Sequence, residues 1–235
     1  MTALRAALAA ALDLVTPTAC PGCGHLDVVL CERCAAPLYG VPRRVDAETP
    51  FLHDGPPTWA ATTYTDSTRE VVLAWKRGRE DLRGTLREAA GELVDRWAAL
   101  GEGPVGGVVG IVPAPSGWVR RVRGLLVVRD LAETAAAAFA AARPGVEVRA
   151  LDVVRRRGTG HLAGLGAGAR AAARGTAVMR VRAHPPVDAW VVVDDVVTTG
   201  ATLRAVATAL RQASGRPVVA AFVLAATPRR SAAGM

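Results

Sequence analysis

The chain alternates between short, continuously apolar stretches and longer segments in which apolar residues recur every three or four positions. Residues 106–112, 189–195 and 217–226 are apolar on both faces, as is typical of parallel strands covered by helices on either side. Further strands are predicted at 58–64 and 146–154, and helices at 67–78, 81–100, 125–142 and 201–213. This order predicts an α/β fold with a doubly wound, mostly parallel sheet. Ligands of such sheets bind beyond the carboxyl ends of the strands.

The first fifty residues follow a different pattern. Apolar residues recur at helical spacing at Leu4, Leu8, Leu12 and Val15. The pattern predicts a short helix that ends at the Thr16-Pro17 step. Residues 41–57 contain prolines and charges without periodic apolar positions, which predicts a linker. We therefore expect an N-terminal helix and cysteine module at 1–48 and an α/β domain at 58–228.

All four cysteines of the chain lie in this N-terminal module, as two Cys-x-x-Cys pairs. They are Cys20, Cys23, Cys31 and Cys34. Two such pairs suit tetrahedral Zn²⁺, and a site with four protein ligands has no open position for a substrate, so the predicted zinc is structural. A thioredoxin-like redox pair would need only one Cys-x-x-Cys, and structural disulfides are rare in a reducing compartment. His25, next to the first pair, is not needed as a ligand.

The charge of the chain indicates an anionic partner. The formal net charge is +8, and Lys76 is the only lysine, so arginine supplies nearly all of the positive charge. Phosphate or nucleic acid is a plausible partner for such a chain. No apolar run approaches the roughly 18 residues of a membrane span, and no secretory cleavage site follows the N-terminal residues. We therefore expect a cytoplasmic protein with no membrane partner.

The most informative stretch is VVVDDVVTTGAT, residues 191–202. Asp194 and Asp195 follow a buried strand, and we expect both carboxylates to lie beyond its end and to face the ligand crevice. The small residues 198–202 open the next helix, where free amides, hydroxyls and the helix dipole favour a phosphate. One ligand class fits both the aspartate pair and the 198–202 loop. It is a sugar whose hydroxyls bind the carboxylates while its 5-phosphate lies in the loop. The stretch therefore predicts a site for ribose 5-phosphate.

Two other segments complete the predicted site. Residues 110–117, GIVPAPSG, form a strand end broken by two prolines, with backbone amides that could face a ligand. An ordinary proline-bounded strand end remains the alternative. Residues 155–175 are long, glycine-rich and basic, which suits a flap that closes over a diphosphate, with a surface loop as the alternative. The GxxxxGK[ST] pattern of a nucleotide-binding P-loop is absent.

Residues 191–202 resemble the loop of type I phosphoribosyltransferases that binds 5-phosphoribosyl 1-diphosphate (PRPP). The order of the whole chain, from the cysteine pairs through the helix ending at Lys76 and the VPAP loop to DDVVTTGAT, resembles the ComF family. This resemblance implies a phosphoribosyltransferase-like domain that binds PRPP with Mg²⁺, in some members linked to natural competence and DNA uptake. Two stretches depart from the family: Arg123-Gly124-Leu125-Leu126-Val127 lacks its usual polar side chains, and His161 stands where a flap glutamine is usual.

The resemblance also implies roles for individual residues. The catalytic residues would be Asp194, Asp195 and Lys76. PRPP would be bound by Val196, Val197, Thr198, Thr199, Gly200, Ala201 and Thr202. The diphosphate loop would comprise Pro113, Ala114, Pro115, Ser116 and Gly117, and the flexible loop Arg156, Arg157, Thr159, His161 and Arg170.

A zinc-ribbon transcription regulator is the least favoured function, because the cysteine module is a small fraction of the chain, and two other function classes remain open. The first is an enzyme that transfers phosphoribosyl to an unidentified acceptor. The second is a non-catalytic competence factor with a vestigial or sensory PRPP site, whose basic segments 120–129 and 155–157 bind single-stranded DNA or a competence helicase. Aromatic residues make up only 4% of the chain, so strand binding would depend mostly on phosphate contacts and on salt.

Overall fold

The computed structural model of the chain describes residues 18–115, 127–156 and 179–228. The predicted N-terminal helix and most of the predicted flap lie outside these ranges. The α-helices of the described residues are α1 (Glu32–Ala35), α2 (Asp66–Lys76), α3 (Arg83–Ala99), α4 (Val127–Ala142) and α5 (Ala201–Ser214). Short 3₁₀ turns lie at Ala36–Tyr39, Asp46–Glu48 and Glu80–Leu82.

A central sheet organises the α/β domain. Its strands are β1 (Arg43–Arg44), β2 (Thr58–Thr63), β3 (Gly107–Pro113), β4 (Val146–Ala150), β7 (Ala189–Val197) and β8 (Val218–Ala226). They lie in the order β1-β2-β8-β7-β3-β4, in which only β1 is antiparallel to its neighbour. Strands β5 (Val154–Arg156) and β6 (Met179–Val181) form a separate antiparallel pair. The predicted α/β class with a mostly parallel sheet is confirmed.

The sheet is covered on both faces, which explains its continuously apolar strands. Helices α2, α3 and α4 cover one face, where the large buried side chains are Trp75, Trp97 and Phe139. Helix α5 and the β5–β6 pair cover the other face, where Trp190 and Leu203 are buried. Because successive side chains of a strand point to opposite faces, β7 contributes to both cores. Val191 and Val193 lie in the first, and Val192 lies in the second.

The predicted single strand at 146–154 is wrong. The chain forms β4 at the edge of the sheet, leaves it after Leu151, and then forms β5 in the hairpin. Leu151 still donates its amide to the carbonyl of Ile111. The exposed Asp152 lies at the break between the two strands. The alternation of apolar residues changes phase at Ala150-Leu151 and again at Val153-Val154, and this irregularity was not taken as a sign of the break.

Residues 41–57 do more than join two units. Val45 and Leu52 are fully buried against the β2 side of the second core. Asp46 accepts a hydrogen bond from the amide of Thr58 and is ion-paired with Arg44. Burial alone would raise the pKa of Asp46, but these two partners outweigh it and lower the pKa. The segment is therefore an ordered part of the domain surface.

In the part of the chain that the structure describes, no helix combines the length and the apolar character that crossing a membrane requires.

Candidate functional site

The four cysteines come together as the two-pair spacing predicts. All four sulfur atoms lie within 4.8 Å of one another, and none is in a disulfide. The Sγ atoms of Cys20 and Cys31 are 3.7 Å apart, and those of Cys23 and Cys31 are 3.5 Å apart. Tetrahedral zinc with bonds of about 2.3 Å requires sulfur separations of about 3.8 Å. The four residues therefore form a cluster that could hold a metal such as zinc.

The surroundings of the thiols differ. A hydrogen bond from the backbone amide of His25, together with the guanidinium of Arg33, lowers the pKa of Cys23 to about 6. Burial raises the pKa of Cys34 to about 12. A bound metal would displace the protons of all four thiols, because the thiolate is the ligand.

The cysteine module is held against helix α2. A Cβ atom placed on Gly22 would lie 3.1 Å from the Cβ of Ser67, in the first turn of α2, and 2.8 Å from the Sγ of Cys34. Beyond the other end of α2, Arg79 donates a hydrogen bond to the carbonyl of Ala19. Leu38 is buried in the same core as Trp75. The cysteine module thus contacts the chain at both ends of helix α2, which carries Lys76.

The two aspartates do not lie beyond the end of their strand, as the sequence had led us to expect. Strand β7 continues to Val197, because Val196 and Val197 pair with Ala225 and Ala226 of β8. Residues within a strand alternate between its faces, so Asp194 and Asp195 point to opposite sides of the sheet. The expectation that both carboxylates face one crevice is wrong.

Asp195 forms an ion pair with Lys76 on the helix-α2 side of the sheet. The distance from Lys76 Nζ to Asp195 Oδ1 is 2.8 Å, and the two side chains are 16% and 9% exposed. The structure thus brings together two of the three predicted catalytic residues. It does so in a closed pair rather than at an open ligand surface.

Asp194 borders a small apolar space between the sheet and helices α3 and α4, and it also borders an open, polar pocket at the start of α5. The remaining lining residues are those predicted to bind PRPP, plus one more: Val196, Val197, Thr198, Thr199, Gly200, Ala201, Thr202 and Leu203. The Oδ1 atom of Asp194 also accepts a hydrogen bond from the amide of Asp195 at 2.9 Å. One carboxylate and the 198–202 loop therefore face the same space.

The 198–202 loop presents backbone donors at the start of α5. Gly200 adopts a left-handed conformation with φ of 78° and caps the helix. The amides of Thr198, Thr199 and Gly200 donate to no acceptor among the residues that the structure describes. The amide of Ala201 makes only a long contact, 3.4 Å, with Thr199 Oγ1. Amides at a helix start, together with threonine hydroxyls, suit a phosphate group.

Sequence reasoning missed the residues that support this loop from behind. Leu52 and Thr49 are so close to Gly200 that a Cβ atom there would overlap with both, and the amide of Phe51 donates to the carbonyl of Thr199. Phe51 is 43% exposed, and the guanidinium of Arg204 lies 5.2 Å from its ring centre. The apolar spacing of 49–52 gave no signal, because the segment is neither a regular helix nor a strand.

The end of strand β3 reaches the same edge of the sheet. Pro113 pairs with Val193, and the amide of Ala114 donates to the carbonyl of Val193 at 2.7 Å. This amide completes the sheet and does not face a ligand, contrary to the expectation for the diphosphate loop. Pro115 is the last described residue of that loop, and Ser116 and Gly117 lie outside the described residues.

The described base of the predicted flap is the β5–β6 pair, here called the arginine hairpin (residues 154–156 and 179–181). Arg155 lies directly opposite Arg180, and the amide of Arg182 donates to the carbonyl of Val153. Arg155 is ion-paired with Asp152, and Arg156 is exposed. The other predicted flap residues lie outside the described ranges: Arg157, Thr159, His161 and Arg170.

Comparisons with known proteins add no family assignment: neither the models of protein families nor the curated proteins give a match to this chain.

Proposed function

We propose that the protein binds the ribose 5-phosphate part of PRPP at the carboxyl edge of its sheet. The observation that carries the proposal is the shared pocket of Asp194 and the 198–202 loop. The loop offers amides and hydroxyls at a helix start for the 5-phosphate. Asp194 offers a carboxylate that accepts a hydrogen bond from a sugar hydroxyl.

Within this proposal, the protein is a ComF-like member of the type I phosphoribosyltransferases, in which the cysteine module holds structural zinc. Mg²⁺ prefers oxygen ligands and binds through one or two carboxylates plus substrate phosphates, so Asp194 and the diphosphate would hold it. The ion would neutralise the charge of the departing diphosphate. The loop would orient the sugar by its phosphate, which places the C1 atom for attack by an acceptor. Lys76 would act through Asp195 rather than on the ligand directly.

Replacing Asp194 with asparagine should weaken binding of PRPP at least tenfold. The amide side chain keeps the size of the carboxylate but loses the charge that strengthens hydrogen bonds from hydroxyls and contacts to Mg²⁺. Calorimetric titration of the zinc-loaded protein with PRPP and Mg²⁺ measures the effect. Asp95→Asn, at an exposed position on α3, is the matched control and should leave affinity unchanged. Equal affinity of Asp194→Asn and the native protein would argue against the site.

A second function is favoured by the arginine hairpin. Its outer face carries Arg155 and Arg180 side by side, with Arg182 next to them. Of these three arginines, only Arg155 has a carboxylate partner among the described residues. Like charges directly opposite each other destabilise a strand pair unless an anion lies between them. The alternative is therefore a non-catalytic competence factor that binds single-stranded DNA and keeps the PRPP site as a sensor or vestige.

Salt dependence tests this alternative. If the hairpin binds a DNA strand, the affinity should fall steeply with salt, and Arg180→Gln with Arg182→Gln should lower the slope of log K against log salt by about 1.4, roughly 0.7 for each phosphate contact. The control removes two arginines from the opposite side of the sheet, Arg96→Gln with Arg129→Gln, both ion-paired within their helices. Equal slopes for the two double variants would exclude the hairpin as the binding surface.

A further inference from the structure

Helix α2 is short and has few anchors of its own. It has 11 residues, and isolated helices of fewer than about 12–15 residues are marginal in water. Its N-cap residue, Thr65, makes no side-chain hydrogen bond to the first turn. The buried Val71 and Trp75 belong to the first core, but the first turn, Asp66–Arg69, has no apolar side chain to place there. The ends of α2 therefore depend on contacts from outside the core.

The cysteine module supplies the contact at the first turn. Gly22 lies inside the first Cys-x-x-Cys pair, and a Cβ atom built on it would be 3.1 Å from the Cβ of Ser67 in α2. The same atom would be 2.8 Å from the Sγ of Cys34, a residue of the second pair. The turn that carries the ligands is thus packed tightly between the helix and the cysteine cluster. Bonds to a metal would fix the shape of this turn.

Arg79 supplies the contact at the other end. Its backbone amide donates to the carbonyl of Ala74, in the last turn of α2, at 3.1 Å. Its guanidinium donates to the carbonyl of Ala19, directly before Cys20, at 3.3 Å. Asp81 holds the guanidinium in this direction through an ion pair of 2.7 Å. One side chain therefore joins the end of α2 to the start of the ligand segment.

Lys76 depends on the position of this helix end. It is the last residue of α2, and its Nζ atom lies 2.8 Å from Oδ1 of Asp195 in β7. The two side chains are 16% and 9% exposed. A pair that is this far buried repays its loss of water only in good geometry. Displacement of the end of α2 would therefore release the ammonium to solvent.

We propose that the metal state of the cysteine cluster controls the ion pair of Lys76 and Asp195. With metal bound, the module supports both ends of α2 and the pair stays closed. Without metal, the module loses the structure that the ligand bonds impose, α2 loses both supports, and Lys76 becomes accessible to reagents. The inference goes beyond the proposed function and does not need a ligand at the 198–202 loop.

The test uses the fact that Lys76 is the only lysine of the chain. Acylation of the full chain with an N-hydroxysuccinimide ester, followed by peptide mass spectrometry, measures the rate at Lys76 in the zinc-loaded protein and after chelation. We expect chelation to raise this rate by about tenfold or more, because a reagent reaches the amine only when the pair opens. Asp195→Asn in the loaded protein gives the rate of the unpaired lysine.

Two variants of exposed or linking arginines sharpen the comparison. Arg79→Gln should raise the rate at Lys76 in the zinc-loaded protein by a smaller factor, because it removes one of the two supports. The matched control is Arg69→Gln, also on α2, whose arginine is ion-paired only with its neighbour Glu70 and should leave the rate unchanged. Arg77→Lys places an exposed lysine beside Lys76, and the rate of the introduced lysine should not depend on metal.

Hydrogen exchange separates local opening from unfolding of the whole domain. Chelation should speed exchange in residues 18–40 and in α2, while β3 and α5 keep their native rates. An unchanged rate at Lys76 while residues 18–40 exchange freely would overturn the inference, since the module would then unfold without moving α2. It would also be overturned by a rate that rises only together with exchange in β3 and α5, or by a protein that takes up no metal. Failure to bind sugar phosphates would bear on the proposed function alone.

Discussion

Replacing Gly200 with alanine is expected to destabilise the protein by roughly 2–5 kcal/mol and to abolish binding of phosphate in the 198–202 loop. The backbone φ of 78° costs a residue with a side chain about 1–2 kcal/mol. A Cβ atom would also lie 2.8 Å from the Cγ2 atom of Thr49 and even closer to Leu52, and overpacking of this kind costs about 1–3 kcal/mol. Urea denaturation measures the stability, and phosphate titration measures the binding.

A second glycine of the same helix provides the control. Gly215 caps the other end of α5 with a φ of 68°, and nothing lies within 4 Å of a Cβ atom built there. Gly215→Ala should therefore lower the stability only by the cost of placing a residue with a side chain at a positive φ. Adding Leu52→Ala should relieve part of the overlap in Gly200→Ala while it costs stability of its own. If the two glycine variants are equally stable, the close packing of residues 49–52 against Gly200 does not add to the cost of the Gly200→Ala substitution.

Replacing Cys34 with serine is expected to abolish metal binding by the cysteine cluster and to unfold the cysteine module. Serine preserves the size of the buried side chain but supplies no thiolate. Structural zinc supplies on the order of 10 kcal/mol to the folding of small modules, so the loss should exceed anything that the remaining contacts can replace. Elemental analysis of the purified protein measures the metal, and hydrogen exchange of residues 18–48 and of α2 measures the unfolding.

His25→Ala distinguishes a four-cysteine site from one that includes the neighbouring histidine. The histidine side chain is exposed, and the metal cluster of the described residues comprises cysteines only. The variant should keep one metal per chain and native exchange rates, because the hydrogen bonds of His25 among the described residues are made by its backbone, from its amide to the thiol of Cys23 and from the amide of Cys20 to its carbonyl. Loss of metal in His25→Ala, or its retention in Cys34→Ser, would contradict the ligand set.

Most of the α/β core was predictable because its signals are local. The strands at 106–112 and 217–226 are apolar throughout, the strand at 189–195 is apolar up to its two aspartates, and the helices between them have regular spacing. The meeting of the four cysteines was equally predictable, because the spacing of two Cys-x-x-Cys pairs is typical of a tetrahedral metal site. The strand at 146–154 failed because the shift of its apolar alternation at Ala150-Leu151 does not say that the chain leaves one sheet and joins another, which depends on distant partners.

The candidate site was predictable in composition but not in orientation. The residues of the 198–202 loop line a pocket together with Asp194, as their types and order suggested. The direction of Asp195 depended on how far β7 extends, and this is set by its pairing with β8 at Val196 and Val197. Likewise, the contact of Leu52 with Gly200 joins positions nearly 150 residues apart in the chain. Contacts between distant positions leave no pattern in a single sequence.

The segment between the cysteine module and strand β2 has a consequence for protein engineering. Because Thr49, Phe51 and Leu52 support the 198–202 loop, a chimera that exchanges the N-terminal module at a junction near residue 57 would import a foreign support for that loop. A junction before Val41 would keep the native support but would replace Leu38 and Tyr39, which contact the larger domain, together with the cysteines. A chimera therefore has to keep residues 41–57 with the α/β domain, and the exchanged cysteine module has to replace the contacts of Leu38 and Tyr39.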